Sequence, residues 1–379
     1  MAGIYLHIPF CKKACFYCDF HFTTSFKYKT EVLEAMHREV EFRKDYLSGA
    51  RVDTIYFGGG TPSVLEAAEI RSLLDHLTSV FPVAETAEIT LEANPDDLHK
   101  EKVKELRQTP INRFSIGTQS FFNDDLKWMN RAHTADEAES AIKRVQDAGF
   151  ENITIDLIYG YPLLSDQKWQ FNISKAISLE VPHISSYSMT VEPRTALASF
   201  INKGKQPPLN DHQSAGQFVS LIESLSEAGF EHYEISNFAK PGRHSQHNSN
   251  YWKGIGYLGI GPSAHSFNSE SRQWNVASNA RYLEALAKNT IPAEMEILST
   301  ADRVNEYIMT SLRTMWGLDL SKVDADFGYA CRTGIERSVR EFIEKGHVVE
   351  NAGILTLSSE GKLFADHIAS QLFIDPDQI

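Results

Sequence analysis

Apolar and polar positions in the first half of the chain alternate between two kinds of pattern. Short apolar runs predict buried strands, and the segments between them repeat apolar residues at helical spacing. The predicted strands cover 3–8, 52–57, 88–92, 113–117, 152–158 and 183–188, with helices near 28–48, 64–80, 96–108, 134–148 and 166–180. Such alternation is typical of βα units with a parallel sheet. Six units predict an α/β fold, an incomplete (β/α)6 barrel, with a doubly wound sheet as the alternative.

The helix near 134–148 has clear end signals. Thr134 can cap its first turn, Asp136 and Glu137 suit the positive end of the helix dipole, and Gly149 can end it. Beyond residue 193 the periodicity breaks, and a helix is predicted over 211–228. Residues 231–275 are rich in Gly, His, Asn and aromatic side chains. A long irregular segment of that composition is expected to be functional.

A separate unit is predicted from about residue 300. It has helices over 300–314 and near 332–345, a hairpin turning at Asn351-Ala352-Gly353, and a closing helix capped by Ser358 or Ser359. This order resembles a winged helix. We therefore expect three domains: a partial barrel over 1–200, a barrel-closing segment over 201–299 that holds a histidine motif, and a smaller α+β winged-helix-like domain over 300–379.

The charge balance limits the partners of the protein. Lys and Arg number 37 against 50 Asp and Glu, a net charge of −13, which argues against broad contact with nucleic acid or anionic membrane. The helix near 332–345 is almost neutral, so no nucleic-acid binding is expected of the winged-helix-like unit. No apolar run reaches eighteen residues, so we expect no membrane span. The N-terminus lacks signal-peptide features, which predicts a cytoplasmic location.

Three of the four cysteines fall within eight residues, in the spacing Cys11-x3-Cys15-x2-Cys18. An iron–sulfur cube takes one thiolate per iron, so three thiolates would leave one iron of a [4Fe–4S] cluster open to a small molecule. A zinc site completed by His7 or His21 is an alternative, as are three unrelated thiols. Cys331 lies over three hundred residues away.

The stretch from Tyr5 to Cys18 resembles the cluster motif of radical S-adenosylmethionine (SAM) proteins. Its leading residues, Tyr-Leu-His-Ile-Pro-Phe-Cys, are similar to those of the oxygen-independent coproporphyrinogen III oxidases and their relatives. The resemblance implies a [4Fe–4S] cluster on Cys11, Cys15 and Cys18 whose open iron binds SAM. It also implies cleavage of SAM to a deoxyadenosyl radical by the reduced cluster, on an incomplete (β/α)6 radical SAM barrel.

Polar or glycine residues follow several of the predicted strands, where parallel βα folds collect their ligands. Glycines allow close backbone approach, and the planar guanidinium of Arg131 fits a carboxylate. Asp156 lies inside an apolar run and needs a partner, either Arg131 or a ligand hydroxyl. The resemblance implies that SAM is contacted by Tyr5, Tyr17, Gly59, Gly60, Thr61, Glu92, Gln119, Arg131 and Asp156.

A second informative segment reads His247-Asn-Ser-Asn-Tyr251-Trp252. His247 could ligate a metal or heme iron, and the two aromatics could pack on a macrocycle. From spacing alone a surface loop is the default interpretation. The pattern H-N-x-x-Y-W resembles a signature of the heme-chaperone branch of the family, HemW. This resemblance implies heme as a ligand, with His247 as the candidate heme contact, and transfer of heme to an acceptor protein.

Two features separate the chaperone branch from the oxidases. The oxidases continue the motif with a further cysteine where this chain has Phe20, and they carry tens of residues before the tyrosine that matches Tyr5. The sequence therefore predicts a heme chaperone with a cluster, SAM and heme, and an electron donor if SAM is cleaved. The alternatives are an oxidase that decarboxylates coproporphyrinogen III and a zinc-stabilised interaction protein without redox chemistry.

Overall fold

The computed structural model describes residues 1–376. All six predicted strands are present as consecutive parallel neighbours, which confirms the α/β prediction. The strands are β1 (Ala2–Ile8), β2 (Val52–Gly59), β3 (Val83–Ala93), β4 (Arg113–Gln119), β5 (Asn152–Tyr159) and β6 (His183–Ser188). The helices between them are α1 (Lys29–Phe42), α2 (Ala67–Val80), α3 (Lys100–Leu106), α4 (Asn123–Trp128), α5 (Ala135–Asp147) and α6 (Asp166–Ser178).

Helix α5 begins and ends as its sequence signals predict. The Thr134 side chain accepts a hydrogen bond from the backbone N–H of Glu137, whose own side chain returns to Thr134 in a capping box. Gly149 follows the helix with a φ of 84°, a conformation that glycine adopts without steric cost. One face of α5, including Ile142 and Val145, is buried against the sheet. The end signals and the buried face therefore both support the helix predicted near 134–148.

The segment after β6 contributes helices and short strands that lengthen the sheet at both edges. They are α7 (Ala196–Asn202), α8 (Asp211–Glu227), β7 (Glu231–Glu234), β8 (Asn237–Ala239), α9 (Gln246–Trp252), β9 (Tyr257–Ile260), β10 (His265–Phe267), β11 (Ser271–Asn275), α10 (Asn279–Ala287) and β12 (Ala293–Ile297). The strand order is β12-β11-β10-β9-β1-β2-β3-β4-β5-β6-β8-β7, with β9 parallel to β1. The edges β12 and β7 are not neighbours, so the barrel is open.

The expectation that 231–275 is largely irregular is therefore wrong. Its strands have only three to five residues each. Strands this short contain too few positions for an alternating pattern to stand out. These strands form because they extend an existing sheet, which the local sequence does not reveal.

The C-terminal part has its own hydrophobic cluster and small sheet. Its elements are α11 (Thr300–Leu312), β13 (Leu318–Asp319), α12 (Leu320–Phe327), α13 (Tyr329–Glu344), β14 (Val348–Asn351), β15 (Ile354–Leu357) and α14 (Ala365–Gln371). The predicted hairpin turn is confirmed, because Ala352 and Gly353 both have positive φ, as a tight type I′ turn requires. The predicted cap of the closing helix by Ser358 or Ser359 is wrong: α14 follows a short 3₁₀ turn over Gly361–Phe364 and has no side-chain cap, and Ser358 Oγ accepts from the Gly361 N–H at 3.0 Å instead.

The C-terminal part packs directly on the edge strand β7. The backbone N–H of Ile235 donates to the carbonyl of Arg313 at 3.0 Å, and the N–H of Met315 donates to Tyr233 at 3.0 Å. The Arg313 guanidinium also bonds to Glu234 and lies 5.2 Å from the ring centre of Trp252. Within residues 1–376 no helix is both long and apolar enough to cross a membrane.

A buried carboxylate ties α1 to the segment that closes the sheet. Glu39 accepts hydrogen bonds from Arg43, Asn275, Tyr282 and the backbone N–H of Gly261, at 2.6–3.0 Å. Both Glu39 and Arg43 are almost completely inaccessible. Each charge is thus paired and hydrogen-bonded, as a buried ion pair requires.

Candidate functional site

A cavity of about 460 Å³ opens at the C-terminal ends of the parallel strands. A volume of this size is typical of small-molecule and cofactor sites. The structure brings eleven of the predicted site residues to its wall: Cys11, Cys15, Cys18, Tyr17, Gly59, Gly60, Thr61, Glu92, Gln119, Arg131 and Asp156. Tyr5 lies behind the wall, stacked on Tyr56 with ring centres 6.1 Å apart. His247 does not line the cavity.

The cysteine loop directly follows β1 and is fixed by backbone hydrogen bonds. The N–H of Cys11 donates to the Thr23 carbonyl, and that of Phe16 donates to Met129. Two polar side chains approach the sulfurs: Thr61 Oγ1 lies 3.3 Å from Cys11 Sγ, and Arg131 Nη1 lies 3.4 Å from Cys15 Sγ. Donors at these distances favour sulfur in its thiolate form.

The donor set fits an iron–sulfur cluster with bound SAM. Three thiols share one cavity, and Arg131 has a buried Nε–H without an acceptor among residues 1–376, which a ligand oxygen can satisfy. Burial raises the pKa of the Cys11 thiol to about 11 and that of Cys18 to about 12. Metal binding must therefore displace thiol protons at neutral pH.

The zinc alternative finds less support in the arrangement of the histidines. His7 Nε2 bonds to the His21 carbonyl at 2.9 Å, and His21 Nε2 bonds to Asn279 at 2.8 Å. Neither histidine lines the cavity that holds the thiols. A single zinc ion needs its ligands around one point, and in the described part of the chain no three His, Cys, Asp or Glu side chains are placed in that way. The thiolates of an iron–sulfur cube instead bind different irons.

Glu92 is held by a tyrosine that the sequence analysis did not single out. Tyr56, on β2, donates its hydroxyl to Glu92 Oε1 at 2.7 Å. Burial raises the pKa of Glu92 to about 7, although the hydrogen bond from Tyr56 acts in the opposite direction. Alternation along β2 gives no signal for Tyr56, because Gly58 on the same face does not line the cavity.

The expected ion pair between Arg131 and Asp156 does not form. Arg131 donates instead to Asn94 Oδ1 at 2.7 Å and to the Gly117 carbonyl at 2.8 Å. Asp156 accepts from Ser115 Oγ at 3.3 Å, and burial raises its pKa to about 6. Arg131 is thus oriented toward the cysteine loop, because Asn94 after β3 and the Gly117 carbonyl on β4 supply its acceptors in place of Asp156. Asp156 keeps acceptor capacity for a ligand hydroxyl.

Gln119 reaches the cavity through an irregularity at the end of β4. Its φ is 64°, unusual for a residue other than glycine. The pairing with β5 shifts register between Ile116 and Gln119, as at a β-bulge, which redirects a side chain. A strained backbone at a site residue is consistent with a functional role.

His247 lies deep in the barrel, beneath the cavity rather than at its surface. It is 2% exposed. Its Nδ1 lies 2.8 Å from Thr54 Oγ1 and its Nε2 lies 2.8 Å from the Tyr251 hydroxyl. For His247 to ligate heme iron, one of these hydrogen bonds would have to break. The default expectation of a surface loop is wrong for this segment, since its histidine fills the barrel floor.

Comparison with known proteins adds to this geometry. Residues 5–171 match the Radical SAM superfamily, and residues 298–364 match the HemN C-terminal domain. A protein named heme chaperone HemW from Bacillus subtilis (strain 168) is 31% identical over 97% of this chain and 98% of its own length. Its namesake from Escherichia coli (strain K12) is 32% identical, with 98% of each chain covered.

Among solved structures, coproporphyrinogen III oxidase (HemN) from Escherichia coli superimposes with a TM-score of 0.85. The match covers 98% of this chain and 90% of that protein, at 22% identity. This likeness confirms the radical SAM fold with its C-terminal domain. Because the two relatives above exceed 30% identity over nearly their whole length, the chain belongs to the HemW family of radical SAM proteins.

Proposed function

We propose that this protein is a heme chaperone that holds a [4Fe–4S] cluster and SAM in the strand-end cavity and transfers heme to an acceptor protein. The observation that carries the proposal is the full-length similarity to curated heme chaperones, combined with three thiols that line one cavity. We place the protein in the cytoplasm. An electron donor is required only if transfer includes SAM cleavage.

Different residues of the cavity would hold the cluster and SAM. Cys11, Cys15 and Cys18 would ligate the cluster, which when reduced supplies an electron for SAM cleavage. Glu92 and Asp156 offer carboxylate oxygens to ribose hydroxyls. Their positions follow from Tyr56 and Ser115, which hold them by hydrogen bonds.

The mouth of the cavity offers a surface suited to heme. Phe20, two residues after Cys18, is 68% exposed, and Phe22 beside it lines the same opening. The neighbouring cleft is lined by Phe16 and by Arg194. Phenyl rings can pack on a macrocycle, and a guanidinium can bind a propionate carboxylate. We therefore place heme at the mouth, outside the cofactors.

Titration with heme tests this function. Wild-type protein should develop a Soret band that saturates near one heme per chain. Phe20→Ser should weaken heme binding about tenfold, because it removes most of the apolar area of one phenyl ring from the contact. Phe171→Ser, at an exposed phenylalanine on α6, is the matched control and should bind as wild type does. A wild-type protein without a Soret change would overturn the chaperone proposal.

The affinity for SAM should depend on pH through Glu92. The pKa of this carboxyl is raised to about 7, so acidification below neutrality protonates it and weakens its ability to accept a ribose hydrogen bond. We expect the SAM dissociation constant of the cluster-loaded protein to rise as pH falls through about 7. Equilibrium dialysis measures it.

Glu92→Gln should bind SAM more weakly near pH 8 and show a flatter pH dependence. Asp156, whose pKa is raised to about 6, acts in the same direction at lower pH. Glu101→Gln, at an exposed carboxylate on α3, serves as the control and should keep the wild-type profile. An unchanged profile in Glu92→Gln would exclude Glu92 as the titrating contact.

A further inference from the structure

The floor of the cavity is built in two layers of side chains from β1, β2 and α9. His247 forms the lower layer, where its ring stacks on Tyr56 with centres 4.9 Å apart and planes 24° apart. Tyr56 forms the upper layer and lines the cavity. The Tyr56 hydroxyl then holds Glu92 at 2.7 Å. One short chain of contacts thus joins His247 to the carboxylate proposed to bind SAM.

His247 is itself fixed from three sides. Thr54 and Tyr251 occupy its two ring nitrogens, and burial lowers its pKa to about 3. The neutral ring that results has one donor and one acceptor, so both nitrogens are satisfied. The backbone N–H of His247 donates to the buried Glu88 carboxylate at 3.0 Å.

Gly3 on β1 completes this fit. A Cβ atom added at Gly3 would lie 2.9 Å from Thr54 Oγ1 and 3.3 Å from His247 Cε1. Both distances are shorter than ordinary van der Waals contact. The absence of a side chain at position 3 therefore makes room for the imidazole between β1 and β2.

We propose that His247 is a positioning residue for the SAM site, which sets the Tyr56 ring and through it the Glu92 carboxylate. The inference rests on the proposed binding of SAM in this cavity. It gives the H-N-x-x-Y-W segment a role inside the barrel, in place of direct contact with heme. Tyr56 covers His247 on the cavity side, so a ligand in the cavity meets Tyr56 first.

The test measures SAM affinity in cluster-loaded wild type, Tyr56→Phe, His247→Ala and the double variant. Tyr56→Phe removes the hydroxyl that bonds to a charged carboxylate and should weaken SAM binding about tenfold. His247→Ala should weaken it about threefold or more and should add less than about twofold in the Tyr56→Phe background, because the two residues act in series.

The pH profile separates positioning from general loosening of the fold. The hydrogen bond from Tyr56 lowers the pKa of Glu92, so its loss should raise that pKa. As the pH falls, both single variants should therefore lose SAM binding at a higher pH than the wild type does. The other groups facing Glu92 are Asp156 on β5 and the neutral hydroxyls of Tyr5, Tyr187 and Tyr251. Tyr56→Phe leaves these groups as they are, and His247→Ala removes only the partner of the Tyr251 hydroxyl, whose raised pKa keeps it neutral.

Gly3→Ala supplies an independent variant that keeps the imidazole. It should shift the SAM affinity and the pH profile in the direction of His247→Ala, while heme stoichiometry and the Soret maximum stay at wild-type values in both. Equal SAM affinity in wild type and His247→Ala would overturn the inference, as would full additivity with Tyr56→Phe. Wild-type protein that binds no SAM would overturn the proposed function and this inference together.

Discussion

Replacing Cys15 with alanine is expected to abolish incorporation of the iron–sulfur cluster. A cube that has only three protein thiolates cannot lose one without exposing a second iron to solvent. Arg131 Nη1 also lies 3.4 Å from Cys15 Sγ. After anaerobic reconstitution, iron and acid-labile sulfide should fall below about a tenth of the wild-type content. Visible absorbance of the cluster should disappear with them.

The matched control is Cys331→Ala. Cys331 is buried in the C-terminal hydrophobic cluster, far from the cavity, so this variant should load iron and sulfide as wild type does. Far-ultraviolet circular dichroism should show that Cys15→Ala keeps its secondary structure, since Cys15 is only half-buried in a loop. Wild-type iron and sulfide in Cys15→Ala would contradict the assignment of the ligands.

Glu39→Ala is expected to lower the free energy of unfolding by about 3–5 kcal/mol, because it leaves the buried Arg43 charge without its carboxylate. Asn275, Tyr282 and the Gly261 N–H lose an acceptor at the same time. Urea unfolding of the cluster-free protein, followed by circular dichroism, measures the loss without contributions from a bound cofactor.

Glu34→Ala, at an exposed glutamate on the same helix, should change the unfolding free energy by less than about 0.5 kcal/mol. This comparison keeps the helix and the type of substitution constant and varies only burial. A loss below about 1 kcal/mol in Glu39→Ala would mean that the segment closing the sheet does not depend on this network.

The sequence predicted the parallel strands well because each has an apolar run and a helix with its own end signals. The strand ends are equally informative. Parallel strands all terminate at one edge of the sheet, so the sequence alone predicts that Glu92 and Asp156 converge. The spacing of Cys11, Cys15 and Cys18 indicates shared metal ligation, because residues so close in sequence lie in one loop.

Long-range contacts were much less predictable. The burial of His247 depends on α9, which begins nearly 190 residues after the end of β2 and packs against the barrel floor. Nothing in the local sequence indicates that this histidine is buried. Arg131 does not pair with Asp156 because Asn94 after β3 and the Gly117 carbonyl on β4 accept its hydrogen bonds, and a ligand hydroxyl stays the alternative partner of Asp156. Short strands such as β8 and β10 depend on their neighbours in the sheet. The division of the chain into three domains stays a prediction.

The backbone pairing between β7 and residues 313–315 has a consequence for fragments of the chain. An uncovered outer strand presents free N–H and C=O groups to other chains and invites aggregation. Here the stretch after α11 shields that strand, and Arg313 adds a guanidinium bridge to it. A fragment ending before residue 300 would keep the barrel's hydrophobic cluster yet lose this shield. We expect such a fragment to aggregate more readily than the full chain, because the outer edge of β7 would be exposed.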